Sequence, residues 1–585
     1  MFYSLVFHLK CHFSITALVF RQKCDRLYFC LKEYFDEVTE MKRNLKAILS
    51  MLLALCLLTA CAGTPAAQPS GTDSGQTSGA QPANPPAEDA QDPAAPAYPL
   101  ESSPKLTMAI KENNTLSQVT PNHNDAPIFK EMQARTGVEI EWVFTPDFSV
   151  LFASGDYPDM IAYDFNSYPG KFTKAIDDGI IEPLNDYLDT CAPDYKAVLQ
   201  SNDDWWRSIT SIDGQVGGFA FIRGDEYLQT YRGLFMRNDW LKKLDLEVPQ
   251  TPDELRNVLM AFKTELGAAA PFATTWGNLR DRGIGAGIFT TPFGLVKGDL
   301  YQLDGKVHYG YYEPEMKDVL AYLNGLFNDG LLTSELATIK DDVINADMMG
   351  ENTGLNIGTS GTVGNYLDAM TPTNPDYDIT GLSSLVAKRG DTAFSCQYDY
   401  AIAGFVIAIS ASSKNKETAA KYLNYHYTEE GRMLNNWGVE GVSYEMVDGK
   451  PKYTEAVINF DGGMRLGINQ YCNATKSYAF VQDPLYQDEY MPYECQTQTY
   501  RAWAANADPA KYAIPNVLEI PAEYVNEYSK LSSDITTYVK ETTLKFITGV
   551  EPLSNFDTYL STLKDMGVER YIELTQIAYD AYRSK

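Results

Sequence analysis

The sequence predicts an α/β protein of packed layers carried behind a long structureless leader. Three observations predict it. Strand-like and helix-like stretches alternate from Lys105 onward, the later helices carry their own start and stop residues, and positions 62–99 contain no Val, Ile, Leu or Phe at all. The first two argue for βαβ units stacked in layers. The third marks a segment that cannot bury enough apolar surface to fold.

The leader comes first. Met41-Lys42-Arg43-Asn44-Leu45-Lys46 is a short basic start, and Ala47 to Leu58 is an uncharged apolar core. Such a core is too short to span a bilayer as a helix, and the pattern is that of an export signal. Leu58-Thr59-Ala60-Cys61 then resembles the bacterial lipobox, in which Cys61 receives a diacylglyceryl group and becomes the mature N-terminus. The expectation is therefore a signal peptide over 41–60, preceded by a non-native extension over 1–40 in a chain whose translation starts at Met41. The lipidated Cys61 and a tether follow over 61–104, with a root-mean-square reach on the order of 35 Å. The alternatives are a buried helix that ends by chance in cysteine and a genuine cytoplasmic extension.

Beyond the tether, "KLTMAI" is a strand candidate, and "NDAPIFKEMQARTG" fits a helix with Ile128 and Met132 on one face and Gly137 as its stop. "VEIEWVF" alternates as a half-buried strand does. Thr251-Pro252-Asp253-Glu254 is a capping box with proline at the first helical position, backed by the stripe Leu255, Val258, Leu259 and Phe262. "KETAAKYLNYHYTEEG" repeats the helical pattern through Ala419, Leu423 and Tyr427, and Phe556, Leu560, Leu563 and Met566 stripe a helix that stops at Gly567.

Charge excludes one class of partner. With 77 acidic against 48 basic residues and a net charge of −29, phosphate is repelled, and no basic stripe points to nucleic acid. Removal of the first sixty residues, which hold 8 basic and 5 acidic side chains, leaves −32. The 39 tyrosines are the unusual feature; each offers a flat apolar face with a polar tip, suited to wet binding surfaces. Cys191, Cys396, Cys472 and Cys495 show no zinc-like or CxxC spacing. A Cys472–Cys495 disulfide and four isolated thiols both remain open.

Several stretches converge on one family. "LFASGDYPDMIAYD" (Leu151–Asp164) looks like the Ala-Ser-Gly-Asp-x-Pro-Asp signature of the extracellular solute-binding proteins of ABC importers, family 1, the maltose-binding type. "GIIEPLNDYLD" (Gly179–Asp189) looks like its next element. "LFMRNDWLKKLDLEVPQTPDELRNVLMAFK" (Leu234–Lys263), "DGKVHYGYYEPEMKDVLAYLNGLFNDGLL" (Asp304–Leu332), "NNWGVEGVSYEMVDGKPKYTE" (Asn435–Glu455) and the segment from Phe546 to Tyr582 resemble the large Gram-positive lipoproteins of the LplA or LipO kind. The resemblance implies a type II periplasmic-binding-protein-like fold with two α/β lobes and several chain crossings at a hinge. Lobe one would take 105–231 and 403–453, and lobe two 232–402 and 454–585. It further implies a monomer, lipid-anchored on the outer face of a Gram-positive cell membrane, that binds a sugar or oligosaccharide in the interlobe cleft. That solute would pass to the permease subunits of an ABC importer, with no cofactor, metal or catalysis.

A sugar-binding cleft needs aromatic faces and hydroxyl-pairing polar groups. Tyr163 and Asp164 fall where the first-lobe strand is expected to end at the cleft. Trp205 and Trp206 stand in the polar stretch "SNDDWWRS", lining the cleft or packing on the lobe. Arg237 either reaches solute or pairs with Asp239. Trp276, flanked by small polar residues, is placed to stack on solute. Tyr398, Asp399 and Tyr400 precede the apolar strand "AIAGFVIAI" at the expected crossover, and Trp437 and Glu440 sit in the glycine-flanked "WGVEG". A surface-anchored polysaccharide-acting enzyme and a binder of peptides or another polar solute are the alternatives. No HExxH, GxSxG or metal-loop pattern supports an enzyme, although the many acids prevent exclusion of a glycosidase pair by counting. "DPLYQDEYMPYE" (Asp483–Glu494) reads as a solvated loop, lacking the oxygen spacing and glycine of an EF-hand.

Overall fold

The structure is a computed structural model that describes residues 95–101 and 104–585. The expected signal peptide, Cys61 and most of the tether lie outside the described residues. Among those that are described, no helix is long and apolar enough to cross a membrane.

Ten strands build the two main sheets and one hairpin: β1 (Leu106–Ile110), β2 (Ile140–Phe144), β3 (Met160–Asp164), β4 (Phe219–Ala220), β5 (Arg232–Arg237), β6 (Leu300–Leu303), β7 (Lys306–Tyr309), β8 (Leu355–Thr359), β9 (Ile379–Leu382) and β10 (Phe405–Ile409). The first sheet has the order β2-β1-β3-β10-β4. β1 runs parallel to β2 and β3, as the strand–helix–strand reading requires, with Leu106 opposite Ile140 and Met108 opposite Met160. The helix Pro127–Thr136 makes the crossover, and Gly137 closes it in the left-handed conformation at φ 76°. Its added Cβ would meet the Leu100 carbonyl oxygen at 2.8 Å, so both the angle and the space call for glycine. β10 enters antiparallel between β3 and β4. It reads as an unbroken apolar run because Val406 through Ile409 are all buried, as expected of a strand covered on both faces.

The second sheet has the order β8-β5-β9, with β5 antiparallel to both neighbours. Helix Pro252–Glu265 lies against it. Its capping box is formed: Glu254 N donates to Thr251 Oγ1 at 3.3 Å while Glu254 Oε2 accepts from Thr251 N. Leu255, Val258, Leu259 and Phe262 are buried, in one core with residues of the C-terminal helices such as Phe546, Phe556 and Leu563. At roughly 2 kcal/mol for each fully buried large apolar side chain, this stripe fixes which face of the helix turns inward.

Each sheet with its helices is one lobe, and three stretches connect them. Residues 221–231 lead from β4 to β5, 383–404 from β9 to β10, and 482–493 from the first lobe back to the helix Glu494–Ala504, which packs on β9. One boundary differs from the expectation. The segment after Tyr453 stays with the first lobe as far as Val481: helix Met464–Tyr471 contacts helices Asn114–Ser117 and Pro127–Thr136, Asn113 donates to Asn469 at 3.0 Å, and Thr120 donates to Gln470 at 2.7 Å. Those partners lie about 350 positions away in sequence, so no local pattern announces them. A further strap, 513–521, runs between the lobes. Lys171 Nζ donates to its Asn516 carbonyl at 2.7 Å and Thr173 Oγ1 to its Glu519 at 2.6 Å.

Candidate interlobe binding site

The linkers are held to one another by hydrogen bonds. Arg223 N donates to the Ala401 carbonyl and Asp399 N to the Gln229 carbonyl, each at 2.8 Å. Gln397 Oε1 accepts from both Tyr231 N (2.9 Å) and Arg232 N (3.0 Å). Arg223 Nη1 donates to Asp399 Oδ2 at 3.0 Å, with the guanidinium 5.2 Å from the Phe221 ring centroid and 5.4 Å from that of Tyr231. This paired base carries recesses on either side.

One recess, about 580 Å³, is walled on one side by Asn166, Tyr168 and Lys171, which follow β3, and on the other by Arg280, Asp299 and Tyr309. Leu279–Gly285 winds as a π-helix at its rim. Such wider turns replace the regular i→i−4 hydrogen bonding and recur at functional sites; this one brings Arg280 to the recess. Asp299 is exposed to solvent yet walled in by protein. Enclosure pushes its carboxyl up to about 6, with Lys297 opposing the shift. Its carboxylate has no hydrogen bond or ion pair among the described residues, which leaves both oxygens free to accept. Burial lowers Lys171 to about 8, with Glu519 and Asp164 opposing.

A second recess, about 550 Å³, lies across the strap and is lined by Trp205, Tyr398, Tyr400, Tyr579 and Tyr582. Trp205 is half-buried and covers Gly224, whose added Cβ would touch the indole at 3.0 Å. Tyr398 and Tyr400 meet edge to face at 5.5 Å, and the Tyr400 hydroxyl donates to the Ile514 carbonyl. Two smaller recesses, about 440 and 350 Å³, flank the start of helix Ser360–Met370. The first is lined by Arg232, Asn278 and Asp341, the second by Arg223, Tyr231 and Tyr486.

The expected site residues divide into two groups. Trp205, Tyr398 and Tyr400 come together in one recess, with Asp399 in the ion pair beneath them. Asp164 ends β3, accepts from Asn166 N at 3.0 Å, and has its carboxyl raised by partial desolvation, but it lines none of the recesses described. The others lie elsewhere. Tyr163 packs among Phe148, Phe152 and Phe165. Trp206 packs on the first-lobe core. Arg237 is buried at the far end of β5, bidentate to Asp239 at 2.8 and 2.7 Å and stacked between Trp240 and Tyr377. Trp276 is buried in the second-lobe core with its Nε1 unpartnered. Trp437 is fully buried and donates to Asp483 Oδ2 at 3.0 Å. Glu440 is exposed beside Tyr444, outside every recess described.

Sequence reasoning did not single out Arg223, Tyr231, Arg232, Asp299 or the Thr359–Thr362 turn. The last had a local signal: in "LNIGTSGTVG" a short apolar run passes into hydroxyl and glycine residues, the strand end and helix start now seen at β8. "DPLYQDEYMPYE" is not a solvated loop, because Leu485–Tyr490 is helical and Tyr486 is buried. No metal-holding cluster occurs among the described residues. The four described cysteines are free, Cys191, Cys396 and Cys472 buried and Cys495 half-buried.

Comparison with known proteins converges on one family. The model described as bacterial extracellular solute-binding protein matches residues 120–433. The fructooligosaccharide ABC transporter substrate-binding protein FusA of Streptococcus pneumoniae is 24% identical over 536 residues, 84% of this chain and 94% of FusA. Lipoprotein LipO of Bacillus subtilis is 26% identical over 354 residues, covering 57% of this chain and 67% of LipO. Among solved structures, the alginate-binding protein AlgQ2 without calcium ion superposes with a TM-score of 0.65 at 23% identity, over 81% of this chain and 98% of that one. S. pneumoniae FusA in complex with kestose does so at 0.63 and 21%, over 82% of this chain and all of that one.

Proposed function

Because the chain belongs to the bacterial extracellular solute-binding proteins, we propose that it captures an oligosaccharide between its lobes and delivers it to the permease subunits of an ABC importer. The observation that carries this reading is the interlobe space. Tyrosine and tryptophan faces stand there beside amides, guanidiniums and free carboxylate oxygens, the pairing that C–H surfaces and hydroxyls of a sugar require. FusA, named for fructooligosaccharides, supports the sugar class.

In this reading the solute bridges the wall after β3 and the wall around Asp299 and Arg280, and the lobes close over it as a hinge. Trp205, Tyr398 and Tyr400 offer stacking faces, and Asp299 accepts from hydroxyls. The protein's role is binding, not turnover. Its anchor is the lipid on Cys61, and the tether keeps the lobes within reach of the importer. Titration calorimetry against neutral and acidic oligosaccharides tests this. One-to-one binding with the saccharide recovered intact is expected. Hydrolysed product, or binding of peptides and no saccharide, would overturn it.

A further inference from the structure

The interlobe recess of about 350 Å³ has a charge pattern at odds with the chain that builds it. In a protein of net charge −29, three cations line this recess, Arg223, Arg465 and Lys476, and no carboxylate does. Arg223 is answered from below by Asp399 at 3.0 Å. Arg465 has no ion-pair partner among the described residues, although nine of their fourteen arginines have one. Lys476 spends its three N–H groups on neutral acceptors: the Asn469 and Cys472 carbonyls at 2.7 and 3.0 Å and Asn473 Oδ1 at 3.1 Å. No carboxylate pairs with it, and burial lowers its ammonium group to about 7, so it is only partly protonated near neutral pH.

The rest of the lining is neutral and suited to a sugar. Tyr231, Tyr486 and Tyr490 supply ring faces, and Thr359, Thr362 and Gln487 supply hydroxyls and an amide. Both lobes contribute. Arg465 and Lys476 come from the first, and the start of helix Ser360–Met370 from the second, its positive end turned to the recess. A neutral solute leaves Arg465 without an anionic partner. A carboxylate supplies one, accepting from the guanidinium in a charge-assisted pair.

We propose that this recess takes a carboxylate group of the solute, so that the oligosaccharide carried is an acidic, uronate-containing one. The proposal rests on the oligosaccharide reading above and narrows it. Stacking faces around the cations favour a saccharide carboxylate over a free inorganic anion, which needs no aromatic wall.

Titration calorimetry of the purified protein tests it. The ligands are the trimers of glucuronate, galacturonate and mannuronate, each paired with the neutral trimer obtained by reducing its carboxyl groups; inorganic sulfate is a separate arm. At least one uronate trimer is expected to bind about tenfold or more tightly than its reduced counterpart, and to weaken as salt rises from about 50 to about 500 mM. Arg465 is exposed, so Arg465→Gln is expected to fold and melt as the parent does, while bringing each pair to within about twofold. Equal or tighter binding of the neutral trimers, sulfate binding as well as the uronates, or an undiminished preference in Arg465→Gln overturns the proposal and leaves the oligosaccharide reading standing. Failure of every saccharide, acidic and neutral, to bind overturns both.

Discussion

Arg223 donates to Asp399 across 3.0 Å and so joins the first linker between the lobes to the second. Both side chains are about three-quarters buried, at 20% and 26% exposure. Arg223→Met removes the donor and leaves the Asp399 carboxylate without its ion-pair partner. A loss of about 1–2 kcal/mol is expected, seen as a lower denaturation midpoint in urea, together with weaker solute binding because the base of the site loses its fixed geometry. Unchanged affinity in a destabilised variant would mean that the linker pair serves stability alone.

How far the site could be read in the sequence follows from which of its determinants are local. The Thr251 capping box, the Gly137 stop and the alternation of β2 were legible because each is decided within a few residues. Arg237 and Arg232 show the opposite case. Both belong to β5, but only strand direction within the sheet tells which end faces the other lobe, and that is fixed by pairing with β8 and β9 more than a hundred residues away. Trp276 and Trp437 lie among glycine and polar residues, so they read as accessible, yet tertiary packing buries both. Trp205, Tyr398 and Tyr400 stand in polar stretches at a chain crossing, and they line one recess together.

Gly404 turns the second linker into β10 at φ 100°, and a Cβ there would lie 2.0 Å from Asn166 Nδ2 and 2.5 Å from Asp164 Oδ1. Gly404→Ala is expected to cost about 2 kcal/mol from backbone strain and to displace Asp164 and Asn166, the latter from the wall of the recess of about 580 Å³. Binding and stability should fall together, measured by calorimetry and urea unfolding on the same preparation.

Two buried histidines set an acid limit. His426, between Tyr422 and Tyr478, is lowered to about 3, and His123 to about 4, both chiefly by burial. Their folded values lie below the unfolded value near 6.5. The unfolded chain therefore binds more protons than the folded one between about 6.5 and these values, and stability is lost as pH falls through that window. Each contributes a slope of up to about 1.4 kcal/mol per pH unit. His426→Gln is expected to be less stable at pH 7 but to show a shallower decline from pH 6.5 to 4.5 in urea midpoints.

Asp299 acts with the other sign. Its folded value near 6 lies above the unfolded one near 3.8, so its contribution to stability rises as pH falls through that interval. Asp299→Asn is expected to raise the melting temperature at pH 7.5, where the enclosed carboxylate is ionised, and to raise it less at pH 5. If the free oxygens of Asp299 pair with solute hydroxyls, the same variant binds more weakly at pH 7.5. Stability gained with affinity unchanged would remove Asp299 from the site.

The claim on which the rest depends is that the interlobe cleft holds an oligosaccharide without transforming it. Its most direct measurement is titration calorimetry across a panel of oligosaccharides, with mass spectrometry of the saccharide after prolonged incubation. Saturable one-to-one binding of at least one oligosaccharide, recovered at its original mass, is the predicted result. Heat and mass changes from cleavage, or no binding by any saccharide in the panel, would contradict it.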